Sequence, residues 1–205
     1  MGQTIDSLPL FPLGLVLLPQ EKVPLHIFED RYRLMIGECL EQESEFGIIW
    51  LSDDGLRDVG CTARIDRVIE RFDDGRLNIL AEGAEPFRLV RRIDDLPYPA
   101  GEVTLLDDEP DGDPAVLDAV RATYGDLVER ATEARPEDED LAALDAYGMA
   151  ATLDVALDAK QSLLEQRAES ERLDALEQLF ASAIERIQLV EKAAERSRGN
   201  GSMHS

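Results

Sequence analysis

Val59-Gly60-Cys61-Thr62-Ala63-Arg64-Ile65 decides how the first half of the chain is read. Val59, Cys61, Ala63 and Ile65 alternate with Gly60, Thr62 and Arg64, the two-residue period of a half-buried strand. The run continues to Phe72, meets Asp73-Asp74-Gly75 and resumes from Arg76 to Glu82. Two strands joined by a tight turn follow, since Asp-Gly suits the backbone of a hairpin turn. Working outward, Val16 to Leu18, Val23 to Phe28, Phe46 to Leu51, Phe87 to Ile93 and Glu102 to Leu106 read as further strands. Seven short strands predict an antiparallel β-domain. A closed or nearly closed barrel is expected, because open strand edges invite pairing with other chains.

One helix interrupts this half. Tyr32, Met35, Ile36, Cys39 and Leu40 recur at helical spacing and form a single apolar stripe. Glu29 and Asp30 stand at its start, where acidic groups oppose the helix dipole favourably. The helix is expected to plug one end of the barrel, with its stripe in the core.

The character of the sequence changes near residue 107. Asp107-Asp108-Glu109-Pro110-Asp111-Gly112-Asp113-Pro114 is dense in charge and helix breakers, so 107–114 is read as an acidic linker between a β-barrel subdomain, 1–106, and a helical bundle, 115–196. Val116 to Ala134 predicts one helix, with Val116, Val120, Tyr124, Leu127 and Val128 inward. Asp140 to Leu157 predicts a second and Lys160 to Gln166 a short third. In the last, Ser170 to Ala194, the residues Leu173, Leu176, Phe180, Ala183, Ile187 and Val190 alternate in steps of three and four. That spacing suits a bundle seam, or an exposed coiled-coil partner. Residues 197–205 read as a disordered tail.

Composition narrows the function. The 205 residues carry 21 basic and 44 acidic side chains, a formal charge of −23. Residues 1–105 contribute 11 basic and 20 acidic side chains, and the helical half is more acidic still. Such a surface repels phosphate backbones, which argues against nucleic-acid and anionic-membrane partners. No apolar run approaches the ~20 residues of a membrane helix, and Asp6 stands where a signal peptide would be positive. A cytoplasmic location is expected, and Cys39 and Cys61, outside any CxxC, read as buried thiols.

Reactive groups are scarce. There is no GxxxxGK[ST] and no GxGxxG, so neither a phosphate-binding ATPase loop nor a dinucleotide fingerprint is present. His26 and His204 are the only histidines; a metal site or triad would rest on His26 alone. His26 lies inside a predicted strand and is expected to make structural hydrogen bonds. Ser162 and Lys160, two apart on a helix, do not face each other as a dyad would. Arg64, Arg67, Arg71, Arg88, Arg91 and Arg92 are interleaved with acids, which favours cross-strand ion pairs over a ligand site. No catalytic residue, metal site or cofactor is predicted, and the chain is read as a non-enzyme.

Leu8-Pro9-Leu10-Phe11-Pro12-Leu13, then Leu17-Leu18-Pro19, then Pro24-Leu25-His26-Ile27-Phe28-Glu29-Asp30-Arg31-Tyr32 closely resembles the opening of the Lon amino-terminal domain. Phe46-Gly47-Ile48-Ile49, Val59 to Ile65, Asp74-Gly75-Arg76, Gly83 and Phe87-Arg88-Leu89 follow that family's order. Lys160-Gln161-Ser162-Leu163-Leu164-Glu165 and Arg172-Leu173 resemble its helical signature. The likeness runs from about residue 6 to about residue 190. Gln20 and Asp30 stand where the family often has glycine and proline, and both changes are expected to be tolerated locally.

The resemblance implies an α+β fold, a PUA-like antiparallel barrel with one internal helix followed by a helical bundle ending in a long helix. It also implies a stand-alone protein- or peptide-binding module without the family's ATPase and protease domains. Its partners would be unfolded polypeptide segments or a specific protein, with an adaptor role in quality control as the extension. RNA or small-ligand binding by the barrel, and docking through the last helix, are the alternatives. Phe11, Leu13, Leu15, Leu18, Phe28 and Tyr32 are the candidate binding residues, in a groove between barrel and bundle, where apolar side chains would capture chain by burying area. The competing reading makes all six barrel core.

Overall fold

The computed structural model describes residues 2–109 and 113–201, with side chains to residue 193. Six strands, β1 (Thr4–Leu13), β2 (Lys22–Ile27), β3 (Phe46–Ser52), β4 (Gly55–Arg71), β5 (Leu77–Ile93) and β6 (Ala100–Leu105), are accompanied by α1 (Asp30–Gln42). The helices after β6 are α2 (Pro114–Thr132), α3 (Asp138–Ala142), α4 (Ala146–Ala151), α5 (Leu157–Glu165) and α6 (Glu169–Gly201). The chain divides into two compact units: Met1–Glu109 with Ala150–Arg167, and Pro110–Met149 with Ala168–Ser205. Of the expected linker, residues 110–112 lie outside the described residues, as do 202–205 of the expected tail.

In the first unit the strand order is β2-β5-β4-β3-β1-β6, and β6 pairs again with β5. Five strands therefore close into a ring, which removes the open edges an unclosed sheet would leave. All pairings are antiparallel except β1 with β3. β1 is the strand the sequence hid, because Pro9 and Pro12 lower the expectation of a central strand. Its register shows how they are accommodated: β6 pairs along Thr4 to Pro9 and β3 along Leu10 to Leu13. Leu8, Leu10, Ile49, Phe87 and Val103 meet inside as one buried cluster.

β5 absorbs two expected strands. Its first residues pair with β2 and its last with β6, while β4 runs along most of its length. The expected turn holds β4 to β5: Gly75 has φ +85°, and the Gly75 amide donates to the Phe72 carbonyl at 3.0 Å. Asp74 accepts from the Arg76 amide at 3.1 Å, and that bond holds its carboxyl below the usual range. Val16–Leu18 is not a strand. It leads into a tight loop in which the Glu21 carboxylate accepts from the Leu18 amide at 3.0 Å and the Glu21 amide donates to the Leu18 carbonyl at 3.1 Å.

Gln20 sits in that loop. Its φ is +67°, a left-handed conformation that suits glycine and costs other residues about 1 kcal/mol or more. The loop packs on Gly83, whose carbonyl accepts from the Gln20 amide and whose amide donates to the Glu21 carbonyl, both at 2.9 Å. A Cβ on Gly83 would stand 2.1 Å from the Leu18 carbonyl oxygen, so glycine is required there by space.

α1 buries Tyr32, Met35, Ile36 and Cys39, four of the five stripe residues. In the helical part, α5 belongs to the barrel unit. Lys160 forms a largely buried ion pair with Glu21, and Gln161 donates to the Val59 carbonyl at 3.1 Å. Arg167, just past α5, donates to the Leu106 carbonyl and to Asp108, both at 2.6 Å. The expected helix from Asp140 to Leu157 is broken into α3 and α4, and Val116 of α2 is exposed.

In the second unit, Tyr124 of α2 meets Phe180 of α6 at 5.7 Å between rings. Arg172 is buried with its guanidinium 4.4 Å from the Tyr147 ring centre, an arrangement that keeps a buried cation in favourable contact with a π face. Among the described residues no helix is long and apolar enough to cross a membrane.

Candidate binding cleft

The loop after β5, Asp94-Asp95-Leu96-Pro97-Tyr98-Pro99, forms one wall of a cleft of about 530 Å³ in the barrel unit. Proline at two of these positions leaves few backbone donors for a ladder, so the segment stays a loop. It is anchored by the Leu10 amide, which donates to the Pro99 carbonyl at 2.8 Å, and by Tyr98, whose hydroxyl donates to Glu38 at 2.5 Å. The opposite wall comes from the end of β1 and the start of α1, where Phe11 and Tyr32 have ring centres 4.2 Å apart.

Three of the six expected binding residues, Phe11, Leu13 and Tyr32, line this cleft. Leu15, Leu18 and Phe28 do not. Leu18 is wholly buried in the loop against Gly83. Phe28 is 59% exposed and stacks on His26 at 5.8 Å. Phe11 and Tyr32 are themselves mostly buried, so they make the floor of the cleft and belong to the core as well. The residues missed are Leu51, Leu56, Ile93, Leu96 and Tyr98. Leu51 and Leu96 stand 51% and 39% exposed at the rim. Leu96 carried a usable signal, since a leucine between charged residues and Pro-Tyr-Pro has no strand or helix to pack.

Charge on the cleft is balanced. Glu29, Arg31, Arg92 and Asp94 lie around it, with Arg31 held by Glu29 at 2.8 Å and placed 4.5 Å from the Tyr32 ring centre. Burial pushes the Tyr32 phenol above its usual range. No nucleophile and base are paired here. Among the described residues no group of three or more His, Cys, Asp or Glu could hold a metal ion. His26 bonds Asn78 through Nδ1 at 2.6 Å, and His204 lies outside the described residues. Arginines on the strands pair across the sheet, Arg64 with Glu82 and Arg91 with Glu102, both at 2.9 Å.

The sequence matches the family described as the ATP-dependent protease La (LON) substrate-binding domain over residues 7–182. The chain belongs to the LON substrate-binding domain family. The crystal structure of a Lon N-terminal domain protein from Xanthomonas campestris is 30% identical, with a TM-score of 0.65, covering 86% of this chain and 98% of that one. The N-terminal domain of the Mycobacterium avium complex Lon protease shares the fold at 20% identity, with a TM-score of 0.69 over 86% of this chain and 98% of that one. Among full-length relatives, the Lon protease of Paraburkholderia phytofirmans is 25% identical over 95% of this chain. That of Parabacteroides distasonis is 29% identical over 60%. The matched segments span 26% and 16% of those two proteases. For this LON-domain chain, then, the fold expected from the sequence and the family it resembles are both established.

Proposed function

We propose that this LON-family chain is a non-catalytic recognition module whose cleft takes extended, apolar segments of other polypeptides. The observation that carries the reading is the cleft itself: Leu51 and Leu96 stand exposed over a floor made by the Phe11–Tyr32 pair. An unfolded segment laid across it would remove this apolar surface from water, at about 25 cal/mol per Å². Balanced charge suits a neutral guest, and family membership supports polypeptide as the guest. The ion-paired arginines on the strands support a polypeptide over an RNA partner. An adaptor role in quality control is the extension of this reading.

The test is fluorescence anisotropy of a labelled, permanently unfolded polypeptide titrated with the protein at low and high salt. Saturable binding that survives salt is expected. Leu51→Asp with Leu96→Asp should weaken it at least about tenfold, the effect of ~1.4 kcal/mol. Ile69→Asp, equally exposed but outside the cleft, should leave it unchanged. Equal affinity in the cleft and control variants sinks the assignment.

A further inference from the structure

Leu56 is a wall of the cleft and also of a second cavity of about 510 Å³ in the same unit. Arg57, Asp58, Arg88 and Glu165 line this second cavity. The register of the barrel brings them together. Arg88 of β5 pairs with Val59 of β4, and Arg57, two residues before Val59, points to the same side of the sheet. The opposite side holds Phe87 in the buried cluster. Both arginines therefore stand on the outer face of the barrel, beside the helix that Gln161 ties to Val59.

Neither arginine is satisfied by the acids around it. Arg88 is exposed and has no partner among the described residues. The Arg57 guanidinium lies 5.0 Å from the Trp50 ring centre, and its Nε is buried without an acceptor. Its one ion pair among the described residues, with exposed Asp158, is 4.0 Å long. Of the two acids in the cavity, Glu165 accepts from Gln161 at 2.8 Å and Asp58 is exposed to water. In a chain with 44 acidic and 21 basic side chains, two arginines sharing a cavity still have donors to offer. We propose that this cavity takes the carboxylate of an aspartate or glutamate in the guest polypeptide, a few residues beyond the apolar run that fills the cleft. The inference rests on the cleft reading above. A guest drawn from within an unfolded chain brings no chain end, so its carboxylate is that of a side chain. Arginine forks hold carboxylates through directed N–H donors. An extended guest advances about 3.3 Å per residue, so about two residues carry it past Leu56.

Fluorescence anisotropy with the full 205-residue chain tests this. The probes are labelled, unfolded peptides that share one run of leucine and phenylalanine and carry either glutamate or glutamine two residues beyond each end. The glutamate peptide should bind about three- to tenfold tighter. A chain of charge −23 repels it in general, so tighter binding has to come from a local contact. Arg88→Glu should abolish the preference, and a lysine version of the peptide should bind that variant more tightly than it binds the wild type. Arg71→Glu makes the same charge change at an exposed, unpartnered arginine of β4 outside both cavities, and should leave the preference intact. Trp50 fluorescence confirms that each variant keeps the barrel folded. Equal binding of the two peptides to the wild type overturns this inference and leaves the cleft reading standing; binding of neither overturns both. Equal loss of the preference in the Arg71 and Arg88 variants also overturns it, as does a lysine peptide that gains nothing from Arg88→Glu.

Discussion

Gln161 Nε2 donates to the backbone carbonyl of Val59 at 3.1 Å, across 102 residues of chain. The bond joins α5 to the strand whose alternation defines the barrel. The neighbouring Lys160 joins the same helix to Glu21, whose other carboxylate oxygen accepts from the Leu18 amide. The adjacent lysine and glutamine that resembled a family signature are thus the two side chains that seat α5 on the barrel.

Replacing Gln161 by Ala leaves the buried Val59 carbonyl without this donor. The expected loss is about 1–3 kcal/mol, the usual effect of stranding one buried partner. Trp50 is the sole tryptophan and is buried in β3, so its fluorescence reports the barrel unit alone. The urea midpoint should fall while the slope stays constant. An unchanged midpoint would show that the bond adds nothing net.

Gln20→Gly should act in the other direction. At φ +67° glycine relieves strain, and the backbone bonds to Gly83 do not depend on the side chain. A gain of roughly 0.5–1 kcal/mol is expected, after the greater freedom of glycine in the unfolded chain is set against it. Gln20→Val should lower stability, since a β-branched residue is poorest in that conformation. The same Trp50 melt checks both.

The Tyr98–Glu38 bond makes a pH prediction. It pushes the Tyr98 phenol up to about 12, with burial adding to the effect. Because the folded value lies above the unfolded one, about 10, the stabilisation is complete below the unfolded value and is lost as pH rises through the folded one. Alkaline titration followed by phenolate absorbance should lose a late-titrating phenol in Tyr98→Phe, while the raised Tyr32 phenol remains. If that variant titrates like the wild type, Tyr98 is not held as described.

Both thiols should be silent in the native protein. Cys39 and Cys61 are free and buried, and burial raises the pKa of each, so thiolate is scarce and access is closed. Alkylation near pH 8 should be slower than for a free thiol by at least about a hundredfold. Both should react fully once the chain is unfolded in guanidinium. Rapid labelling of either under native conditions would place it at the surface.

Much of this protein was legible one segment at a time. The strand at Val59 to Ile65, the Asp-Gly turn and the Tyr32 to Cys39 stripe each describe a residue's relation to neighbours a few positions away, although Gly60 and Thr62 are buried along with Val59, Cys61 and Ala63. Period, capping and turn chemistry report that relation directly. The heptad steps from Leu173 to Val190 belong to the same kind of signal, and the run of motifs from Leu8 to Leu173 was enough to point to the family.

Only the tertiary structure decided the rest. It set β1 between β3 and β6 despite two prolines, by giving each half of the strand a different partner. It joined two expected strands into β5, drew α5 onto Val59 and Glu21, and put Gln20 in a left-handed conformation against Gly83. It also assembled the cleft from Phe11, Tyr32, Leu51 and Leu96, and left Leu15, Leu18 and Phe28 out. Each of these depends on which distant segments share a ladder or a packing surface. Local periodicity says which face of an element is apolar; only closure of the barrel determines what that face meets.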